Sequence, residues 1–346
     1  MSDLGRVLLQ DELSPVQSCE CENLSELTDI TVIICAYTEE RWDFTLEAIE
    51  SARHQRLGPV EILVVVDHNP KLEERLRRHD PALCVLKNSE QKGLAGGRNC
   101  GIAASRSEFI AFLDDDACAD PEWLSSMAGN MNRAEVIGVG SRVDPWWIGG
   151  RPAWFPDEFL WVVGCSYRGL PRSRQAVRNA LGGGMLIRRS VFERVGGFNH
   201  SLGRSGANSL LSCEETEFCV RAQAMLPGTI FLYEPNASIR HRVSAKRLTW
   251  AYLWRRCYAE GLSKAVVARI VGRSGLSSEW RQTTMVLPTG ILHGLAAVLK
   301  GDIGGLGRSA AIIVGFAAAA IGFLRGQEPS LRSSAPPAIG IWTKPV

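Results

Sequence analysis

The chain has 346 residues, of which 45% are hydrophobic, and a formal net charge of +2. This composition excludes a disordered chain and predicts one large domain with a C-terminal extension. The small charge, without a basic region interleaved with aromatic residues, argues against nucleic-acid binding. The ten cysteines lack the repeated spacing of zinc sites, so a reduced, cytoplasmic compartment is expected.

The first 29 residues are acidic and weakly patterned, and we interpret them as a tail or a loosely docked arm. They contain no basic region followed by a long apolar one, so no signal peptide is predicted.

A βαβ unit begins at residue 30. The β-branched run Ile30–Ala36 has the length of a buried strand, a helix is predicted over Thr45–Arg53, and Val60–Val66 is the next apolar run. A helix through Arg78 and a short strand at Cys84–Leu86 follow. The alternation predicts an α/β fold with a doubly wound, mainly parallel sheet, which binds ligands beyond the carboxyl ends of its strands.

Polar residues follow these strands and should therefore share one crevice. They are Tyr37, Thr38 and Glu40 after the first strand, Asp67 and Asn69 after the second, and Asp114 to Asp116 after a later one. Asp67 suits a nucleotide contact, and a turn or helix cap equally well. The crevice has neither a GxxxxGK[ST] loop nor a GxGxxG turn after its first strand, which argues against P-loop kinases and dinucleotide dehydrogenases.

Three consecutive aspartates, Asp114, Asp115 and Asp116, end the apolar run that starts at Phe109. Adjacent carboxylates repel one another, and a divalent cation with oxygen ligands would hold them together. The alternative is a solvated run that caps a following helix with Pro121 in its first turn.

A glycine-rich segment, Gly93–Gly101, lies between these elements and contains Arg98. Glycines permit close approach of the backbone, and an arginine at a helix start can reach a diphosphate. A simple glycine-rich turn with a solvated arginine is the alternative.

The C-terminal region is apolar and aromatic. Arg247–Tyr258 forms a helix candidate with Trp250 and Trp254 on one face, and two uncharged segments, Met285–Leu299 and Ser309–Leu324, follow. Both segments are short of the roughly 20 residues that span a bilayer, so a re-entrant or interfacial hairpin is predicted rather than two spans. A helical pair buried against the domain is the alternative, and residues 327–346 should form a flexible tail.

Six segments, taken in order, resemble family 2 glycosyltransferases with the GT-A fold. They are Val32–Thr38, Glu61–Asp67, Gly93–Gly101, Phe109–Asp116, Leu181–Phe198 and Cys213–Ala222. The resemblance implies a catalytic domain over residues 30–245, with a nucleotide-sugar half (30–120) and an acceptor half (121–245). Residues 246–326 would form a helical, membrane-associated region.

The resemblance implies inverting transfer from a nucleoside-diphosphate sugar, first of all a UDP-sugar, with Mg²⁺ or Mn²⁺ as cofactor. The acceptor would be a hydroxyl of a glycan, a lipid-linked compound or a small molecule, at the inner face of the cell membrane. Expected donor contacts are Ala36, Tyr37, Glu40, Asp67, Arg98, Asp114 and Asp115. Asp116 would touch the metal most directly, with Asp114 and His241 as further ligands.

Glu215 is the implied catalytic base, and Glu214 would contact acceptor or sugar hydroxyls. The chain departs from the family here, because Glu215 stands where the family's motif has aspartate, and Asp67-His-Asn-Pro70 replaces Asp-Asp-Gly-Ser. These glutamates would also suit a helix dipole, and His241 a purely structural role. One or two of Trp146, Trp147, Trp154 and Trp161 should line the acceptor groove.

Three other functions fit parts of the pattern. A polyprenyl-phosphate glycosyltransferase would need no strong base, and a non-catalytic nucleotide-sugar-binding protein would release no diphosphate product. A nucleotidyltransferase would need a basic triphosphate loop, which the sequence does not show near its start.

Overall fold

The computed structural model describes residues 29–202, 212–271 and 282–328. The predicted N-terminal arm, apart from residue 29, lies outside the described residues, and so does the predicted tail from residue 329 onward.

Nine strands form one sheet in the described part of the chain. They are β1 (Ile30–Ala36), β2 (Glu61–Val66), β3 (Cys84–Lys87), β4 (Phe109–Asp114), β5 (Ala117–Ala119), β6 (Val136–Trp147), β7 (Gln175–Val177), β8 (Gly184–Arg188) and β9 (Ile230–Val243). The order is β3-β2-β1-β4-β8-β6-β9-β5, and β7 pairs with β9. Strands β3, β2, β1 and β4 are parallel, β8 is antiparallel to both β4 and β6, and β6 is parallel to β9.

Helices pack around this sheet and extend beyond it. They are α1 (Trp42–Arg53), α2 (Pro70–His79), α3 (Leu94–Ala104), α4 (Trp123–Ala128), α5 (Arg189–Val195), α6 (Glu214–Met225), α7 (Trp250–Val271), α8 (Leu287–Leu299) and α9 (Gly304–Gly326). Short 3₁₀ segments lie at Glu39–Arg41, Asp157–Val163 and Ala245–Arg247, and a π-helical turn, Gln282–Val286, leads into α8. The predicted fold class, an α/β fold with a mainly parallel sheet, flanking helices and apolar C-terminal helices, is confirmed.

Parallel register brings the predicted strand ends to one edge. Ala36 pairs with Val66, and Cys35 pairs with Asp114 on the other side of β1. The backbone nitrogen of Asp67 donates to the carbonyl of Ala36 at 2.8 Å. The central strands are apolar and buried on both faces, as expected for a sheet covered by helices.

Two local predictions need correction. Helix α1 begins at Trp42 rather than Thr45, because the 3₁₀ turn that Thr38 caps leads directly into it. The aspartates do not cap a helix: Asp114 ends β4, β5 follows within three residues, and α4 begins only at Trp123. The aspartate run is therefore a tight connection between two strands.

The C-terminal helices are longer than predicted. The segment Gln282–Leu299 has 18 residues and α9 has 23, and both are long and apolar enough to cross a membrane by length and composition. The predicted segment Ser309–Leu324 was too short because it contained only uncharged, apolar residues. Helix α9 begins earlier, at Gly304, and includes Arg308. Large apolar side chains on this hairpin are exposed; they are Met285, Leu292, Leu295, Leu299, Ile303, Leu306, Ile313, Phe316, Ile321 and Leu324.

The hairpin also packs on the domain. Gly315 of α9 faces the ring of Phe159, and Gly322 faces the backbone of Tyr258 in α7, so these glycines permit close contact. The hairpin thus combines a face docked on protein with an apolar face directed away from it.

Candidate active site

The aspartate turn is buried and surrounded by arginines. Nη1 of Arg41 lies 2.5 Å from Oδ1 of Asp115, and Nη2 of Arg41 lies 3.1 Å from Oδ2 of Asp116. Nη2 of Arg247 lies 3.4 Å from the same Asp116 oxygen. Two guanidinium groups thus offset the repulsion between adjacent carboxylates.

Strand pairing brings His241 to the aspartates. Because β5 and β9 are antiparallel with Ala117 opposite His241, the imidazole reaches the turn, and its Nε2 lies 3.2 Å from Oδ1 of Asp116. One potential ligand atom from each of Asp114, Asp116 and His241 lies within 4.8 Å of the others. Two carboxylates and an imidazole fit Mn²⁺ or Mg²⁺, and the sequence-predicted ligand set is brought together.

The adjacent carboxyls of Asp115 and Asp116 have pKa values that are shifted in opposite directions. Burial opposes ionisation of Asp116, but His241 and the two arginines outweigh burial, so the pKa of Asp116 lies well below its usual range. Burial raises the pKa of Asp115 to about 7, against the lowering effect of Arg41. Among the described residues, no donor reaches the buried Oδ2 of Asp115. This oxygen can accept a hydrogen bond from a bound ligand.

Arg98 connects α3 to the start of α6 and to the segment before β8. It is 3% exposed, and its Nη1 lies 3.1 Å from Oε1 of Glu214, while its Nη2 donates to the carbonyl of Gly182 at 2.9 Å. Oδ1 of Asp114 is 3.7 Å from Nη2. The alternative of a solvated arginine is therefore wrong. A diphosphate contact by Arg98 stays a prediction, and in this structure the guanidinium pairs with protein carboxylates.

Glu215 lies beside this pair in the first turn of α6. Its side chain is half-buried, whereas Glu214 is 4% exposed. Burial and the neighbouring Glu214 raise the pKa of Glu215 to about 8, although Arg98 lowers it. A carboxyl with this pKa is well matched to proton transfer near neutral pH.

The predicted nucleotide contacts lie at the same sheet edge. Tyr37 is 53% exposed, its ring lies 5.1 Å from the Arg41 guanidinium carbon, and Glu40 is also exposed. Asp67 accepts from Nδ2 of Asn88 at 2.7 Å and from the nitrogen of Gly93 at 3.1 Å. Asp67 thus anchors the glycine-rich segment, and its contact with a base stays a prediction.

A cavity of about 420 Å³ opens next to these groups. Asp114, Glu214 and Glu215 line one part of it, and Gly182 and Gly183 form the adjoining wall. Helices α7, α8 and α9 supply the opposite wall; their lining residues are Arg256, Glu260, Gly261, Lys264, Leu287, Gly315, Phe316, Ala319 and Phe323. The cavity therefore has a carboxylate-rich region and a largely apolar one.

Trp161 is the member of the tryptophan group that lines the cavity, together with Phe159 and Tyr167. Trp154 instead stacks on Trp250 with ring centroids 4.5 Å apart. Trp147 packs edge-on against Phe155.

Comparison with known proteins identifies the family. A model of glycosyl transferase family 2 matches residues 31–196. A glucosyl-dolichyl phosphate glucuronosyltransferase of Haloferax volcanii is 31% identical over 242 residues, which cover 69% of this chain and 77% of that protein. The chain belongs to glycosyl transferase family 2.

Two further proteins are similar to this glycosyltransferase, one over part of its sequence and the other in its fold. A putative glycosyltransferase, EpsH, of Bacillus subtilis is 32% identical over 106 residues, which cover 30% of each chain. The structure of the mannosyltransferase PcManGT from Pyrobaculum calidifontis, in complex with GDP-Man and Mn²⁺, has a TM-score of 0.57 at 17% identity. That match covers 87% of this chain and 88% of the other, and it shows a shared fold.

Three residues that lie in the candidate site of this glycosyltransferase were not predicted from the sequence. Arg41 and Arg247 contact the aspartates, and Arg256 lines the cavity. Arg41 follows shortly after β1, at the sheet edge where ligands are expected to bind. This position in the sequence could have identified Arg41 as a candidate. No local signal marks the other two, because each reaches the site from a distant segment.

Proposed function

We propose that this glycosyltransferase moves a sugar from a nucleoside-diphosphate sugar to a hydroxyl of a lipid-linked acceptor, with inversion and with a divalent cation. The proposal rests on one observation. The cluster of Asp114, Asp116 and His241 adjoins a cavity that is lined by both Asp114 and Glu215. The cluster suits a metal-bound diphosphate, and Glu215 suits activation of an acceptor.

The donor would bind at the sheet edge beyond β1, β2 and β4. Asp114, Asp116 and His241 would hold Mn²⁺ or Mg²⁺, which when bound neutralises the departing diphosphate. Arg41 and Arg247 add positive charge at the same place. The structure of PcManGT, which was determined with GDP-Man and Mn²⁺, supports this arrangement. A UDP-sugar remains the first candidate donor.

The transfer step would use Glu215 as base. The ionised carboxylate takes the proton of the acceptor hydroxyl while that oxygen attacks the anomeric carbon, and the bond from this carbon to the diphosphate oxygen breaks. A single displacement inverts the anomeric centre. Arg98 holds Glu214 in place beside the base.

A lipid-linked acceptor is supported by two observations. The Haloferax volcanii relative is named as acting on a glucosyl-dolichyl phosphate. In this chain, the C-terminal hairpin both lines the cavity and carries an exposed apolar face. We therefore propose that the enzyme works at the cytoplasmic face of a membrane, with the hairpin in contact with lipid. Direct transfer to a polyprenyl phosphate is the second candidate, and it would need no base.

Thermal unfolding with a panel of UDP- and GDP-sugars, with and without Mn²⁺ or Mg²⁺, tests the donor site. A donor at 100 times its dissociation constant should stabilise the wild type by about 2.7 kcal/mol. Asp116→Asn should lose the metal-dependent shift, and Asp43→Asn, which changes an exposed carboxylate of α1, should retain it. A folded wild type that no donor stabilises would refute the proposal.

A further inference from the structure

Arg256 is a cation that lines the cavity and has few polar partners among the residues that the structure describes. It lies on α7, its side chain is half-buried, and it lines the cavity that also contains Glu215. Its Nη1 donates to Oγ of Ser212 at a long 3.4 Å. Within the described ranges, the buried Nε has no hydrogen-bond partner, and no carboxylate forms an ion pair with Arg256.

The other charges on this face of α7 are already matched. Glu260, one turn further along, lies 3.6 Å from Nζ of Lys264 and accepts from Sγ of Cys213 at 3.3 Å. Across the cavity, Arg98 is paired with Glu214. A buried guanidinium N–H without an acceptor is costly, because burial removes water and supplies no replacement. The Arg256 guanidinium is therefore available to bind an anionic ligand.

An apolar path leads away from this cation. Phe316, Ala319 and Phe323 recur along one side of α9 and line the same cavity. Phe316 is also 44% exposed, and it lies one turn from Ile313, which is 55% exposed. The cavity wall is thus continuous with the apolar outer face of the hairpin. A ligand with an anionic group at Arg256 could extend a hydrocarbon chain along this path without exposing it to water.

From this juxtaposition, and resting on the proposed function, we infer that Arg256 binds the phosphate of a lipid-phosphate acceptor. The lipid chain leaves along Phe316 and Phe323, and the sugar attached to the phosphate points toward Glu215. Arginine suits this role, because its N–H groups can donate two parallel hydrogen bonds to phosphate oxygens. Arg256 would make the enzyme specific for acceptors that carry both a phosphate and an apolar chain.

Binding measured without donor tests this inference independently of catalysis. Farnesyl phosphate, farnesol and inorganic phosphate are titrated in detergent against the full-length wild type, Arg256→Gln, Arg256→Lys and Arg255→Gln. Arg255 is the adjacent, exposed arginine of the same helix and serves as the matched control. The wild type should bind farnesyl phosphate about 30-fold more tightly than farnesol. Inorganic phosphate should bind more weakly than farnesyl phosphate, because it lacks the apolar chain.

Arg256→Gln should abolish the preference for farnesyl phosphate, Arg256→Lys should restore part of it, and Arg255→Gln should leave it unchanged. Donor-induced thermal stabilisation, measured on the same samples, shows that each variant is folded. Equal binding of farnesyl phosphate and farnesol by the wild type would overturn the inference, as would an undiminished preference in Arg256→Gln. Failure of the proposed function would instead appear as absence of any donor-induced shift in the wild type.

Discussion

Glu215→Gln gives the sharpest test of Glu215 as the catalytic base. The ionisation of this one carboxyl should make both the rate of sugar transfer and the stability of the protein depend on pH, and the substitution removes it. Burial and Glu214 raise the pKa of Glu215 from 4.5 to about 8. In the free enzyme, the base is therefore mostly protonated at neutral pH. For the wild type, kcat/KM should rise by about tenfold for each pH unit below pH 8 and level off above it. Glu215→Gln should lose transfer to a hydroxyl at every pH.

Stability should change in the opposite direction with pH. The folded state keeps the proton of Glu215 between 4.5 and about 8, while the unfolded state releases it. The contribution of this group is fully present below 4.5 and is lost as the pH rises through about 8. The loss is roughly 5 kcal/mol. Above that pH, Glu215→Gln should unfold several degrees higher than the wild type.

The assays are a pH–rate profile of sugar transfer and thermal unfolding without donor or metal over the same pH range. Glu74→Gln, which changes an exposed glutamate of α2, should behave like the wild type in both. A pH-independent kcat/KM, or transfer to a hydroxyl that survives Glu215→Gln, would refute the role of Glu215 as base. Transfer to a lipid phosphate that survives the substitution would favour the second candidate function.

Two further predictions concern stability and location. Arg98→Met leaves Glu214 buried without its cation, so the free energy of unfolding in urea should fall by about 3–5 kcal/mol, and a loss below about 1 kcal/mol would contradict the pairing. The double substitution Leu292→Glu and Leu299→Glu places charges on the exposed face of the hairpin and should reduce flotation with anionic lipid vesicles. Val60→Glu, at an apolar residue that is 67% exposed on the catalytic domain, is the control, and equal flotation of all three proteins would disprove the membrane contact.

The parallel part of the fold and the sheet edge at which the candidate site lies both follow from local patterns in the sequence. Apolar runs of strand length separated by helices dictate parallel β1, β2 and β4, and parallel strands place Ala36, Asp67 and Asp114 at one edge. The apolar C-terminal segments are equally local signals. The aspartate run itself indicated Asp116, and resemblance to the family added His241 and Glu215. The structure groups Asp116 with His241 and places Glu215 at the adjoining cavity.

The surroundings of these residues, in contrast, depend on contacts between segments that are distant in the sequence. Arg41 and Arg247 come from segments about 200 residues apart and meet at Asp116. The burial of Arg98 against Glu214 depends on bringing together α3 and α6, which are distant in the sequence. The cavity wall with Arg256 exists because α7 packs against α6, and α7 and α9 pack against the 3₁₀ segment Asp157–Val163. Such contacts depend on packing between distant segments, so neither periodicity nor spacing along the chain encodes them.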